Sequence, residues 1–167
     1  ILIYGPDHGL FKESSAMIAA TVTDNPSDPF NVAVLSPSVL SEDPARLGDE
    51  ANAISMMGGR RLIRVEDAGD KVTPLLKDYL KSPNDQALII LEAGELGPGS
   101  SLRKACESAK NAAAIPCYVE DERDMGRLIR QTLTDEGLRA ESDAVNWLAG
   151  AITGDRAKAR AELNKLI

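Results

Sequence analysis

The residues best placed to do chemistry stand near the start of the chain. Gly5-Pro-Asp-His-Gly-Leu-Phe-Lys12 follows the apolar run Ile1-Leu-Ile-Tyr4, where a strand-to-helix turn can offer backbone amides and a lysine to phosphate. That chemistry needs G-x-x-x-x-G-K-[ST]. Counted from Gly5, the second glycine position holds Leu10, the lysine position Phe11 and the hydroxyl position Lys12. Asp7 adds a negative charge where phosphates would sit. Gly5, Gly9, Leu10 and Phe11 are therefore read as a degenerate, non-binding phosphate loop that serves as a turn and helix entry.

The acidic residues do not supply a substitute. Glu66-Asp67 follows an apolar run, the place where an ATPase would hold magnesium, but nothing upstream binds a triphosphate, so a solvated loop is expected. Glu92 and Glu95 have the spacing of an acid/base pair but no nucleophile, metal ligand or histidine beside them. His8 is the sole histidine. Cys106 and Cys117 lack C-x-x-C spacing and read as reduced core residues. No catalytic residue, metal site or cofactor is expected.

The elements that frame these residues alternate. Strand candidates are 1–4, Phe30–Leu35, Arg61–Val65, Ala87–Leu91 and Ala113–Tyr118, the last an edge because of Pro116. Helical spacing runs from Leu10 to about Val22, with Phe11, Ile18 and Val22 apolar. Asp43-Pro44 predicts the start of a helix with Leu47, Ala51 and Ile54 on one face, ending at Gly58-Gly59. Val72–Lys81 and Ser100–Lys110 are two more helices. This rhythm predicts a five-stranded parallel sheet with helices on both faces. After the charged run 119–124 only helices are expected, near 124–136, 142–151 and 155–167. Their apolar positions include Leu128, Ile129, Leu133, Val145, Trp147, Leu148, Ile152, Leu163 and Leu166. The domains expected are thus 1–119 and 120–167.

Bulk properties narrow the class. Of the 167 residues, 43% are hydrophobic and 27% charged, as in soluble globular proteins. No apolar run approaches the roughly 20 residues of a membrane span, so no membrane partner and a cytoplasmic location are expected. The net charge of -7 is the reverse of a stand-alone nucleic-acid binder's, so any DNA contact is expected to be weak or indirect. Because Ile1 already lies in a strand-like run, a preceding segment is expected.

Spread along the chain are Leu2-Ile-Tyr-Gly-Pro-Asp7 with Glu13, Ile54-Ser-Met-Met-Gly-Gly-Arg-Arg-Leu62, Leu76-Lys-Asp-Tyr-Leu80 with Pro83, Leu88-Ile-Ile-Leu91, Ser101-Leu-Arg-Lys104, and Gly154-Asp155 with Glu162-Leu-Asn-Lys-Leu166. In order and spacing these resemble the delta subunit of the bacterial DNA polymerase III clamp loader. The resemblance implies an AAA+-like first domain, built on a P-loop NTPase-like core without a functional P-loop, and a small three-helix lid. It implies a helical collar domain too, expected to lie outside this chain. It implies no ATP hydrolysis, and a binding role toward the sliding clamp (the beta ring) and the other loader subunits, gamma/tau and delta prime. In the lid of an active loader ATPase an arginine stands three residues after a glycine like Gly154, and here that slot is Ala157. The zinc-binding cysteine cluster and the arginine-containing serine-cysteine motif of delta prime are absent.

The resemblance assigns clamp binding to Met56 and Met57, with Ile54 and Ser55 before them, at a helix end; the usual pair is Leu-Phe. Adjacent helical residues point about 100° apart and cannot share one core stripe, and methionine adapts to an apolar pocket. On composition alone, one core methionine beside an incidental neighbour is the plainer reading; the resemblance favours a displayed pair. Arg60 and Arg61 are possible secondary contacts, while Arg64, Arg103 and Lys104 are expected to be solvated. The alternative function is an active nucleoside triphosphatase with an atypical loop.

Overall fold

The computed structural model describes residues 1–26, 28–55, 58–119, 121–152 and 156–165. These form β1 (Leu2–Tyr4), α1 (His8–Ala19), β2 (Val32–Leu35), α2 (Pro37–Glu42), α3 (Arg46–Asn52), β3 (Arg61–Val65), a 3-10 turn at Asp70–Val72, α4 (Thr73–Tyr79), β4 (Ala87–Ala93), α5 (Ser101–Ser108), β5 (Ala114–Pro116), α6 (Glu122–Asp135), α7 (Ser142–Ile152) and α8 (Arg156–Leu163). They fall into two compact units, Ile1–Gly5 with Phe11–Pro116 and Pro6–Leu10 with Cys117–Ile167.

In the first unit every strand pairing is parallel and the order is β2-β3-β4-β1-β5. The register sets Leu2 opposite Leu91 and Ala114, and Val65 opposite Leu35 and Leu91. Pro116 stands on edge strand β5, as its missing N–H requires. One face of the sheet, carrying Leu2, Tyr4, Ile63, Val65, Ile89 and Leu91, packs with Leu47, Leu76 and Leu102 of α3, α4 and α5 into one core. In the second unit Met125, Ile129, Val145, Ala159 and Leu163 form a separate core of α6, α7 and α8.

Several local expectations are corrected. Two short helices stand in this region: α2, which was not expected, precedes Asp43, and α3 fills only Arg46–Asn52 of the helix expected from Asp43 to Gly58. Ser36 caps the first, its Oγ accepting from the Val39 amide with Pro37 at the first turn; the second starts after Pro44, whose ring cannot continue α2. That helix ends at Asn52, because side chains from elsewhere take its last carbonyls: Arg61 Nε donates to Glu50 O at 2.8 Å and Asn84 Nδ2 to Ala51 O at 2.8 Å. Ile54, expected on the core face, is therefore beyond the helix and 90% exposed. Trp147, expected in the helical core, is 75% exposed, while Val145 and Ala149 of the same helix are buried. Leu166 and Gly154 lie outside the described residues. Helix α1 buries Ser14, Ser15 and Ala19, and Phe11, Ile18 and Val22 are only partly covered.

Candidate functional site

The connection from β1 to α1 is three residues long. Gly5 has φ 140°, a conformation open to glycine, and its amide donates to Gly94 O at 3.1 Å. Asp7 is buried and caps the helix, Oδ1 accepting from the Leu10 amide at 2.8 Å, while its own amide donates to Cys117 O at 3.0 Å. A carboxylate thus occupies the helix N-terminus where a phosphate would otherwise bind. Gly9, Leu10 and Phe11 are already helical, so they do not form a phosphate-cradling loop.

The strand-end carboxylates divide. Glu66 and Asp67 are exposed, as expected, with Asp67 in the left-handed region at φ 50°. Glu92, only 5% exposed, is held by Arg64, which donates through Nε at 3.1 Å and through Nη2 to both carboxylate oxygens at 2.9 Å. The Ser15 hydroxyl of α1 donates to the same carboxylate. Arg64 is therefore a structural partner and not a solvated residue. Sequence spacing gave no signal for this, since the two residues meet diagonally across paired strands, Arg64 standing opposite Ile90. Arg103 is likewise not solvated: its guanidinium lies 5.0 Å from the Tyr4 ring centre and pairs with Glu107 at 2.7 Å. Cys106 and Cys117 are buried and form no disulfide with each other. No group of three or more metal-ligating side chains is present among the described residues, and none of the helices described is long and apolar enough to cross a membrane.

Met56 and Met57 lie outside the described residues. Ser55 Oγ donates to Gly58 O at 2.7 Å and also bonds the Asn31 side chain, and the Gly58 amide donates to Ser55 O at 3.3 Å. Gly58 and Gly59 have φ 76° and 86°, so the glycine pair is required by backbone conformation. Arg60 is exposed. Arg61 is turned inward: Nη1 donates to Phe30 O at 2.8 Å and Nη2 pairs with Glu50. Ile54 is thus presented on an irregular segment anchored by Ser55 and not on a helix.

The strand order and the capped, loop-free helix entry define an AAA+-like fold that lacks the phosphate-loop sequence. The sequence profile of the family described as DNA polymerase III, delta subunit, matches residues 1–118, and the chain belongs to that family. A probable DNA polymerase III subunit delta of Rickettsia prowazekii is 25% identical over 169 residues, covering 100% of this chain and 49% of that protein. Among solved structures, the Bacillus subtilis DNA clamp loader delta protein superposes with a TM-score of 0.74 at 24% identity, covering 99% of this chain and 51% of the other. A DNA polymerase III gamma subunit-related protein and a RuvB mutant, both of Thermotoga maritima, each give 0.52 at 17% and 15% identity, covering 99% and 98% of this chain and 52% and 53% of theirs. These structural likenesses concern the fold. The chain spans about half the length of the relatives it matches.

Proposed function

We propose that this chain is the clamp-contacting part of a clamp-loader delta subunit, which binds the sliding clamp and helps open it without hydrolysing nucleotide. The observation that carries the reading is Ile54, a large aliphatic side chain left 90% exposed two positions before a pair of methionines. An exposed aliphatic residue followed in sequence by further apolar residues suits a surface that a partner covers. Ser55, bonded to Asn31 and to Gly58, supports the same segment at its base. In this reading Ile54, Met56 and Met57 enter an apolar pocket on the clamp, and Arg60 stands at the rim. Arg61, bonded inward, supports the segment instead of touching the partner.

Residues 1–119 act as the ATPase-like domain and 120–167 as the lid. The same reading includes assembly with gamma/tau and delta prime, in the cytoplasm, with DNA contacted weakly or indirectly. The Asp7 cap supports the absence of hydrolysis, since a phosphate and this carboxylate compete for the same helix end. A clamp ring carrying a fluorescence donor and acceptor across one subunit interface tests the role. Addition of the full-length protein should separate the pair, and the Met56→Ala/Met57→Ala variant should not. A ring that opens equally with both would remove the proposed segment.

A further inference from the structure

Three arginines of the second unit share one side of α6. Arg123, Arg127 and Arg130 follow one another at intervals of four and three residues, which sets them on one helical face. With Asn146 and Ala149 of α7 and with Gly126 they line a groove of about 440 Å³. A Cβ on Gly126 would meet Arg130 Nη1 and Val145 Cγ1, each at 3.8 Å, so the missing side chain leaves room for the Arg130 guanidinium to lie back along the helix. All three arginines are exposed. The Asp121 carboxylate, which caps α6, accepts from the Arg123 amide at 2.9 Å, and Arg127 pairs with Asp124. Arg130 has no ion-pair partner among the described residues. None of the described residues that line the groove is a carboxylate. The acidic excess of the chain lies before residue 121, and beyond it basic and acidic side chains nearly balance.

We infer that this α6–α7 groove is a phosphate-backbone site, where Arg123, Arg127 and Arg130 hold a nucleic-acid strand and the Asn146 amide donates at its edge. A guanidinium is a planar fork that meets phosphate through two parallel hydrogen bonds. Arg123 to Arg130 spans about 10 Å along the helix axis, and phosphates of one duplex strand recur about every 3.4 Å along theirs, so the stripe can meet two or three of them. A protein partner would need an apolar centre, and the groove supplies only Ala149 and Gly126. Such a site positions a strand and reads no base. It uses no residue of the segment proposed to contact the clamp and stands or falls apart from that reading.

The test is the binding of a fluorescein-labelled, mixed-sequence DNA duplex to the full-length protein, followed by fluorescence anisotropy over a salt series. Arg123→Gln/Arg127→Gln/Arg130→Gln should weaken binding about tenfold or more at low salt. It should also lower the slope of log affinity against log salt by about 1 per arginine. The matching triple lysine variant keeps the charge and loses the fork, so it should keep the slope and lose part of the affinity. Arg139→Gln, at an exposed arginine outside the groove, should match the wild type. Melting by circular dichroism is followed in parallel; if the triple variant unfolds, Arg130→Gln alone should still lower the slope by about 1. A wild type that binds no duplex at low salt overturns the inference, as does an unchanged affinity and slope in the glutamine variants. An equal loss in Arg139→Gln overturns it too, since general charge attraction would then account for the binding. A glutamine variant that keeps the duplex but no longer retains the other loader subunits in a pull-down makes the groove a protein contact and overturns it as well.

Discussion

Replacing Arg64 with methionine would leave the Glu92 carboxylate buried with the Ser15 hydroxyl as its one remaining side-chain partner among the described residues. Removing one member of a buried ion pair costs about 3–5 kcal/mol, because the remaining charge keeps its desolvation penalty. Arg64 itself is 27% exposed, so water can reach part of the vacated site, and the expected loss is about 2–4 kcal/mol. For a chain of this size that corresponds to a fall in Tm of roughly 5–15 °C. The assay is thermal and urea unfolding followed by far-UV circular dichroism, because Trp147, the sole tryptophan, lies in the other unit. The double variant Arg64→Met/Glu92→Gln should recover most of the loss, since the amide carries no charge and still accepts from Ser15. A change within about 0.5 kcal/mol for Arg64→Met, the range of an ordinary surface residue, would refute the reasoning.

Asp7→Ala should lower stability by about 1 kcal/mol through loss of the helix cap. It should not create binding of magnesium-ATP in a fluorescence titration, since Leu10 and Phe11 still fill the glycine and lysine positions. Acid should destabilise the fold through Asp70 and Asp121. The Ser100 hydroxyl and the Leu102 amide hold the Asp70 carboxyl below its ordinary range, and the Asp124 and Arg123 amides do the same for Asp121. A depressed folded-state pKa means that the unfolded chain binds protons first. The contribution is therefore complete above about pH 3.9, the free-aspartate value, and is lost as pH falls through the lower folded-state values. Urea midpoints between pH 5 and 3 should fall less steeply in Asp70→Asn/Asp121→Asn than in the wild type; equal slopes would count against those hydrogen bonds.

The sheet was legible because buried parallel strands are short apolar runs, and Leu62-Ile-Arg-Val65 or Leu88-Ile-Ile-Leu91 stand out between turn residues. The turn after β1 was legible as well, since three motif positions fail together at Leu10, Phe11 and Lys12. Non-local bonds were not. No pattern around Asn52 ends α3; the donors that end it come from Arg61 and Asn84. Nor does any spacing join Arg64 to Glu92, which meet only once β3 and β4 are in register. Trp147 misled because helical periodicity marks an apolar residue as core even when it stands just off the buried stripe of Val145 and Ala149. The same limit hid Phe30: it reads as the first residue of β2, yet it belongs to a turn that Asp28 closes.

In the proposed function the contact is an apolar segment, Ile54 to Met57, offered to the clamp. The measurement closest to it is the equilibrium dissociation constant of the full-length protein for the sliding clamp, with and without Met56→Ala/Met57→Ala. A rise of about thirtyfold or more, the equivalent of a hot spot of about 2 kcal/mol, is predicted. An unchanged constant in a normally folded variant would contradict it.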